Sequence, residues 1–81
     1  MDIEVLLFAA ARESAGCDTI CLEVPDQPVA TDVLHALEQK LPELEGLLSS
    51  CRLAVDCQYV GPNAAIAAGA EVALIPPVSG G

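Results

Sequence analysis

Thr31-Asp32-Val33-Leu34-His35-Ala36-Leu37-Glu38-Gln39-Lys40-Leu41-Pro42 is the stretch from which the rest of the chain can be read. Val33, Leu34, Leu37 and Leu41 recur at three- and four-residue spacing, so a helix gathers them into one apolar stripe. Thr31 and Asp32 suit its first turn, where unpaired N–H groups favour side-chain oxygens and negative charge. Pro42 disfavours helical geometry at Leu41 and ends the run. Leu44, Leu47 and Leu48 carry the apolar spacing into a short further turn of helix.

Extended segments flank this helix on both sides. Upstream, residues 19–24 form a strand stopped by Pro25-Asp26-Gln27-Pro28, and residues 3–9 form an earlier one. In the earlier strand Ile3, Val5 and Leu7 alternate onto one face, with Glu4, Leu6 and Phe8 on the other. Arg12-Glu13-Ser14-Ala15-Gly16 reads as a connection ending in a common chain-reversal residue. Downstream, residues 52–56 form a strand with Leu53 and Val55 on one face. Residues 58–60 are a short extended piece before Gly61-Pro62-Asn63. A last strand, residues 71–75, is set up by Ala68-Gly69 and closed by Pro76-Pro77. One helix covers only one face of a sheet this size. The first and last strands are apolar on both sides, which places them centrally and pairs them together. Strand, strand, helix, strand, short strand, strand is the β-grasp (ubiquitin-like) arrangement: an α+β fold with a mixed sheet and one main covering helix. The expected organisation is a domain over residues 1–75 and an extended, flexible C-terminal tail over residues 76–81.

Composition narrows what such a domain does. Eighty-one residues bury only about 60–65% of their unfolded surface, which leaves no room for a large enclosed active site. Apolar residues make up 53% of the chain, enough for a core and against disorder. Phe8 and Tyr59 are the only aromatics, so that core consists of Leu, Val, Ile and Ala. Twelve acids stand against Lys40, Arg12 and Arg52, for a net charge of −9. This charge repels nucleic-acid phosphates and anionic membranes and favours a basic protein surface. The apolar run at residues 5–11 is too short to span a bilayer and follows acids instead of a basic segment. The expectation is a cytoplasmic chain with reduced cysteines.

The end of the sequence, Pro76-Pro77-Val78-Ser79-Gly80-Gly81, is of another kind. Two prolines favour extended backbone and cannot continue a ladder. Extended, six residues reach about 20 Å from the sheet, far enough to enter another protein. Gly80 and Gly81 lack Cβ atoms, so they thread a narrow channel and leave a terminal carbonyl open to attack. A carboxylate is a poor electrophile and needs activation, most simply as an acyl-adenylate. Sulfur then replaces the adenylate, giving a nucleophilic thiocarboxylate.

The chain resembles the small subunit of molybdopterin synthase, the MoaD branch of the ubiquitin-like sulfur carriers, essentially end to end. The resemblance is carried by Val5-Leu6-Leu7-Phe8-Ala9 with Arg12-Glu13, by Asp32-Val33-Leu34-His35-Ala36-Leu37, by Leu53-Ala54-Val55-Asp56 and by Gly69-Ala70-Glu71-Val72-Ala73. Its most specific part is Ile75-Pro76-Pro77-Val78-Ser79-Gly80-Gly81. The resemblance implies that an activating adenylyltransferase similar to ubiquitin's uses ATP-magnesium on Gly81, and that a sulfur donor enzyme then forms the thiocarboxylate. It implies that Gly80 and the residues Pro76, Pro77, Val78 and Ser79 enter the large synthase subunit. There the sulfur passes to cyclic pyranopterin monophosphate, in a heterotetramer of two small and two large subunits. The chain itself binds no cofactor in this picture and is a non-catalytic, sulfur-donating subunit. Phe8, Tyr59 and Ile75 match apolar interface positions of the family, the alternative being that all three are ordinary core. Departures are local to turns: Asp56 stands where relatives usually have Asn, and Gly69-Ala70-Glu71 replaces Gly-Asp-Glu.

Cys17, Cys21, Cys51 and Cys57 raise the question of a metal. Only the first pair has a zinc-type spacing, and the plant-type ferredoxin run is absent, so no metal is expected. Cys21 and Cys51 are expected to pack as small apolar residues in or beside strands. The single His35 has no acid–base partner in the pattern. Two other functions fit the same ending: a carrier for thiamine or cysteine synthesis, and a ubiquitin-like modifier conjugated to lysines.

Overall fold

β1 (Asp2–Leu7) and β5 (Val72–Ile75) lie side by side at the centre of a five-stranded sheet, in a computed structural model that describes residues 1–76 apart from the side chain of Glu45. With β2 (Thr19–Glu23), β3 (Arg52–Val55) and β4 (Gln58–Tyr59), the order across the sheet is β2-β1-β5-β3-β4. β1 and β5 run parallel, with Val5 opposite Val72 and Leu7 opposite Leu74, while the other pairs are antiparallel. The central pairing of the first and last strands is the one read from the sequence, and the fold is the β-grasp. Period-two alternation sends Ile3, Val5, Leu7, Ile20, Leu22, Leu53, Val72 and Leu74 to one face, where all are buried.

The helix α2 (Ala30–Lys40) covers that face through Val33 and Leu37, which have no exposed surface, with Leu34 and Leu41 half-buried beside them. Its start is held in two ways. Asp32 accepts the Val29 N–H through Oδ2 at 2.9 Å, as an acid in the first turn should. The next N–H groups, of Ala30 and Thr31, donate to the carbonyls of Ala64 and Pro62 at 2.9 and 3.0 Å. The Thr31 hydroxyl also donates to the Pro62 carbonyl, at 2.8 Å, so it ties the loop to the helix instead of accepting from the helix. After Leu41, a 3₁₀ turn at Pro42–Leu44 and α3 (Glu45–Leu48) bury Leu44 completely and Leu47 and Leu48 in part.

Two local features differ from the sequence reading. The segment after β1 is a helix, α1 (Ala9–Ala15), and not only a connection. Its three leading alanines favour helix, Ala11 is buried, and Gly16 at φ 75° closes it by donating its N–H to the Arg12 carbonyl at 2.9 Å. Second, β3 and β4 join through a two-residue turn in which Asp56 and Cys57 both have positive φ, 51° and 69°. Asp56 is also clamped to the start of β5. Its N–H donates to the Glu71 carbonyl at 2.8 Å, and its Oδ1 accepts the Glu71 N–H at 3.0 Å. An Asn at this place offers the same acceptor oxygen, so the departure at Asp56 preserves the bond.

Leu37→Ala leaves a cavity under the sheet, and urea unfolding should show a loss of about 2–5 kcal/mol. Cys57→Gly removes the cost of a left-handed side chain in the hairpin. It should stabilise the domain by about 1 kcal/mol, visible as a rise in melting temperature of about 4–8 °C.

Candidate docking face and C-terminal segment

The second face of the sheet carries no helix. Residues that alternate away from the core meet there across the strands. Thr19, Leu6, Ala73, Ala54 and Tyr59 form one row by register, and Ile75 stands opposite Arg52 in the next. Phe8 continues the outward set of β1, its backbone still extended at φ −128° and ψ 155°. Phe8, Ala54, Tyr59, Ala73 and Ile75, with Cys57 and Glu71 at the margin, line a shallow depression of about 360 Å³. Phe8 and Tyr59, which lie far apart in sequence, are thus brought to one place with Ile75.

The placement of these aromatics runs against their chemistry. Phe8 is 45% and Tyr59 57% exposed, the large hydrophobics that stand exposed among the described residues. A chain with two aromatics and a core to fill would ordinarily bury them. Here the core is aliphatic and both rings face solvent on one apolar patch, which is the mark of an interaction surface. Ile75 is half-buried, so it serves the patch and the sheet together. The small side chains of Ala54 and Ala73 line the depression between the rings, a contribution the sequence reading did not single out.

Ile75 is also the last residue of β5, so the chain leaves the patch directly into residues 76–81. Pro76 is buried. Pro77, Val78, Ser79, Gly80 and Gly81 lie outside the described residues.

The cysteines do not converge. Cys17, Cys21 and Cys57 are exposed and Cys51 is partly buried. Cys21 was expected to be a packed apolar residue, but the alternation that buries Ile20 and Leu22 turns it to the open face beside Glu4. Burial pushes the Cys51 thiol above its ordinary range, which keeps it protonated near neutral pH. Among the described residues no group of three or more His, Cys, Asp or Glu is placed to hold a metal ion. His35 is exposed on α2, on the side of the domain away from the patch. Among the same residues no helix is long and apolar enough to cross a membrane.

The sequence reading counted Arg52 among the cations but gave it no part in this face. Its guanidinium carbon lies 4.6 Å from the centre of the Tyr59 ring, so a cation is stacked on the exposed aromatic. The signal was available, since alternation places Arg52 on the same face as Ala54, opposite Leu53.

Comparison with known proteins agrees with this architecture. The molybdopterin synthase sulfur carrier subunit of Chlamydomonas reinhardtii is 39% identical over 83 aligned positions, covering all of both chains. Among solved structures, SAMP1 from Haloferax volcanii superposes with a TM-score of 0.87 at 34% identity, again over all of both chains. Subunit 1 or 2 in a protein–protein complex of the molybdopterin-converting factor from Helicobacter pylori matches in fold, with a TM-score of 0.71 at 23% identity over both full chains. The profile of the ThiS family matches residues 5–81, the whole length but for four residues at the start. A β-grasp sheet whose relationship runs through its strands and on to Gly81 belongs to the ThiS family.

Proposed function

We propose that the chain is the sulfur carrier subunit of a molybdopterin synthase. The observation that carries this reading is the position of its only two aromatics, exposed beside Ile75 on the uncovered sheet face from which the last residues depart. Full-length identity of 39% to a molybdopterin synthase sulfur carrier subunit supports it. In this reading residues 1–75 are the docking domain and residues 76–81 the delivery arm. Counted from the buried Pro76, the five residues 77–81 reach about 16 Å when extended.

The chemistry belongs to Gly81, taken as the carboxyl terminus. Its carboxylate attacks the α-phosphorus of ATP on an activating adenylyltransferase, and pyrophosphate leaves. Hydrosulfide supplied by a sulfur donor enzyme then attacks the acyl carbon, the C–S bond forms as AMP leaves, and the thiocarboxylate results. Gly80 keeps the approach to that carbon narrow and unhindered. The charged arm enters a large synthase subunit, which holds cyclic pyranopterin monophosphate, and gives up its sulfur there. Two small and two large subunits make the assembly. Phe8, Tyr59 and Ile75 hold the domain against each partner in turn, while Pro76, Pro77, Val78 and Ser79 set the direction of the arm. Magnesium-ATP and the pterin are bound by the partners.

A second reading has one specific observation in its favour: a structural neighbour 32% identical to this chain is the small archaeal modifier protein 1 of Haloferax volcanii. As a modifier the same activated Gly81 would be attacked by a lysine amine. Isopeptide-linked products in cells would support that reading.

Incubation with the activating enzyme, ATP-magnesium and a sulfur source should convert Gly81 to its thiocarboxylate. Cleavage after Tyr59 releases residues 60–81, which contain no Cys or Met, so the mass of an oxygen-to-sulfur exchange cannot come from thiol or thioether oxidation. An unchanged peptide beside a control carrier that does become charged would reject the proposal. Phe8→Ala and Tyr59→Ala should each weaken binding to the large subunit by about tenfold or more in titration calorimetry. Because both side chains are exposed, the melting temperature should barely change.

A further inference from the structure

The open face is charged unevenly along its strands. Asp2 and Glu4 on β1 and Glu23 on β2 stand exposed at one end, and Glu71 joins them just before β5. Asp2, Glu4 and Glu71 line a depression there together with Gly69 and Ala70. The apolar stripe of Leu6, Ala73, Ala54 and Tyr59 follows. At the opposite end, where β5 runs into Pro76, Arg52 stands opposite Ile75 with its guanidinium over the Tyr59 ring.

Arg52 is one of only three Lys or Arg residues in a chain of net charge −9. Arg12 lies 3.6 Å from Asp18, and Lys40 ends α2 on the covered side of the sheet. Among the described residues, Arg52 is the one cation carried by the strands of the sheet, and no salt bridge joins it to an acid of this chain. A surface that is attracted to a basic partner through its acids gains nothing from one cation within the footprint unless a carboxylate meets it. The Tyr59 stack limits the rotamers of a flexible side chain, which lowers the entropic cost of making such a pair.

We propose that Arg52 fixes the direction of docking by pairing with a carboxylate of the partner protein, beside the opening that admits residues 77–81. The acidic end of the face meets basic side chains in the same complex. The inference rests on the docking role given to this face above. A partner turned end for end would set Arg52 against its basic groups and the acids of β1 against its carboxylate, so like charges reject that pose. Only the accepted pose points the arm towards the opening.

The test is the binding of full-length Arg52→Glu and Arg52→Lys to the large synthase subunit, followed by surface plasmon resonance at low and high salt. Circular dichroism melts of both variants confirm that they fold. Arg52→Glu makes the chain more acidic by two charges, so simple attraction to a basic partner would tighten binding. The proposal expects the reverse: affinity falls about tenfold through faster dissociation, the loss shrinks at high salt, and Arg52→Lys loses less. An acid-to-Lys substitution on the large subunit's facing surface should restore binding of Arg52→Glu. Equal or tighter binding of Arg52→Glu overturns the inference, as does an equal loss in Arg52→Lys. Absence of binding by the unsubstituted chain would instead overturn the docking reading itself, so the two failures are distinguishable.

Discussion

The parallel pairing of β1 with β5 is the constraint on which the rest of the molecule depends. Parallel neighbours cannot be joined by a tight turn, so the chain between them must cross over. That crossover supplies α2, which covers one face of the sheet and leaves the other uncovered. The pairing sets Leu6 opposite Ala73, so the first and last strands together build the centre of the open face. It also makes the end of β5 leave from the middle of the sheet instead of an edge. In the proposed complex, a partner that covers the patch would therefore also enclose the point where the chain leaves β5.

The same constraint explains why the core contains no aromatic ring. Val5, Leu7, Val33, Leu37, Leu44, Val72 and Leu74 fill the space under α2 with two per cent exposure or less. Aliphatic side chains are enough for so thin a layer, which leaves Phe8 and Tyr59 available for the outer face. The clamp between Asp56 and Glu71 ties the β3–β4 hairpin to the start of β5. It therefore holds Tyr59 in register with Ala54 and Ala73 by fixing the two strands on either side of the depression. In the proposed complex, affinity and direction come from different groups: the rings and Ile75 would bury apolar area, and the graded charge of the face would select one orientation.

Much of this was legible in the sequence because its pattern is local and repeated. Val33, Leu34, Leu37 and Leu41 announce a helix by spacing, and two-sided apolar character marks β1 and β5 as central. What escaped depends on shorter signals or on register. Ala9 to Gly16 is too brief to display a helical period, and its helix is fixed by a left-handed Gly16 and one buried alanine. Cys21 was misjudged through its residue type, although the alternation of Ile20 and Leu22 already turned it outward. The stack of Arg52 on Tyr59 and the clamp of Asp56 on Glu71 need the pairing of strands, which no single segment contains. The roles of Gly80 and Gly81 came from chemistry and resemblance alone.

The central claim is that Gly81 delivers sulfur to a pterin inside a partner docked on the open face. The most direct measurement is a single-turnover reaction of the thiocarboxylated chain with the large subunit and cyclic pyranopterin monophosphate, following product and remaining thiocarboxylate together. A dithiolene needs two sulfur atoms, so the account predicts two carriers consumed for each molybdopterin formed, and no product from the uncharged chain. Thiocarboxylate that persists without product, or product that forms equally well from the uncharged chain, would contradict it.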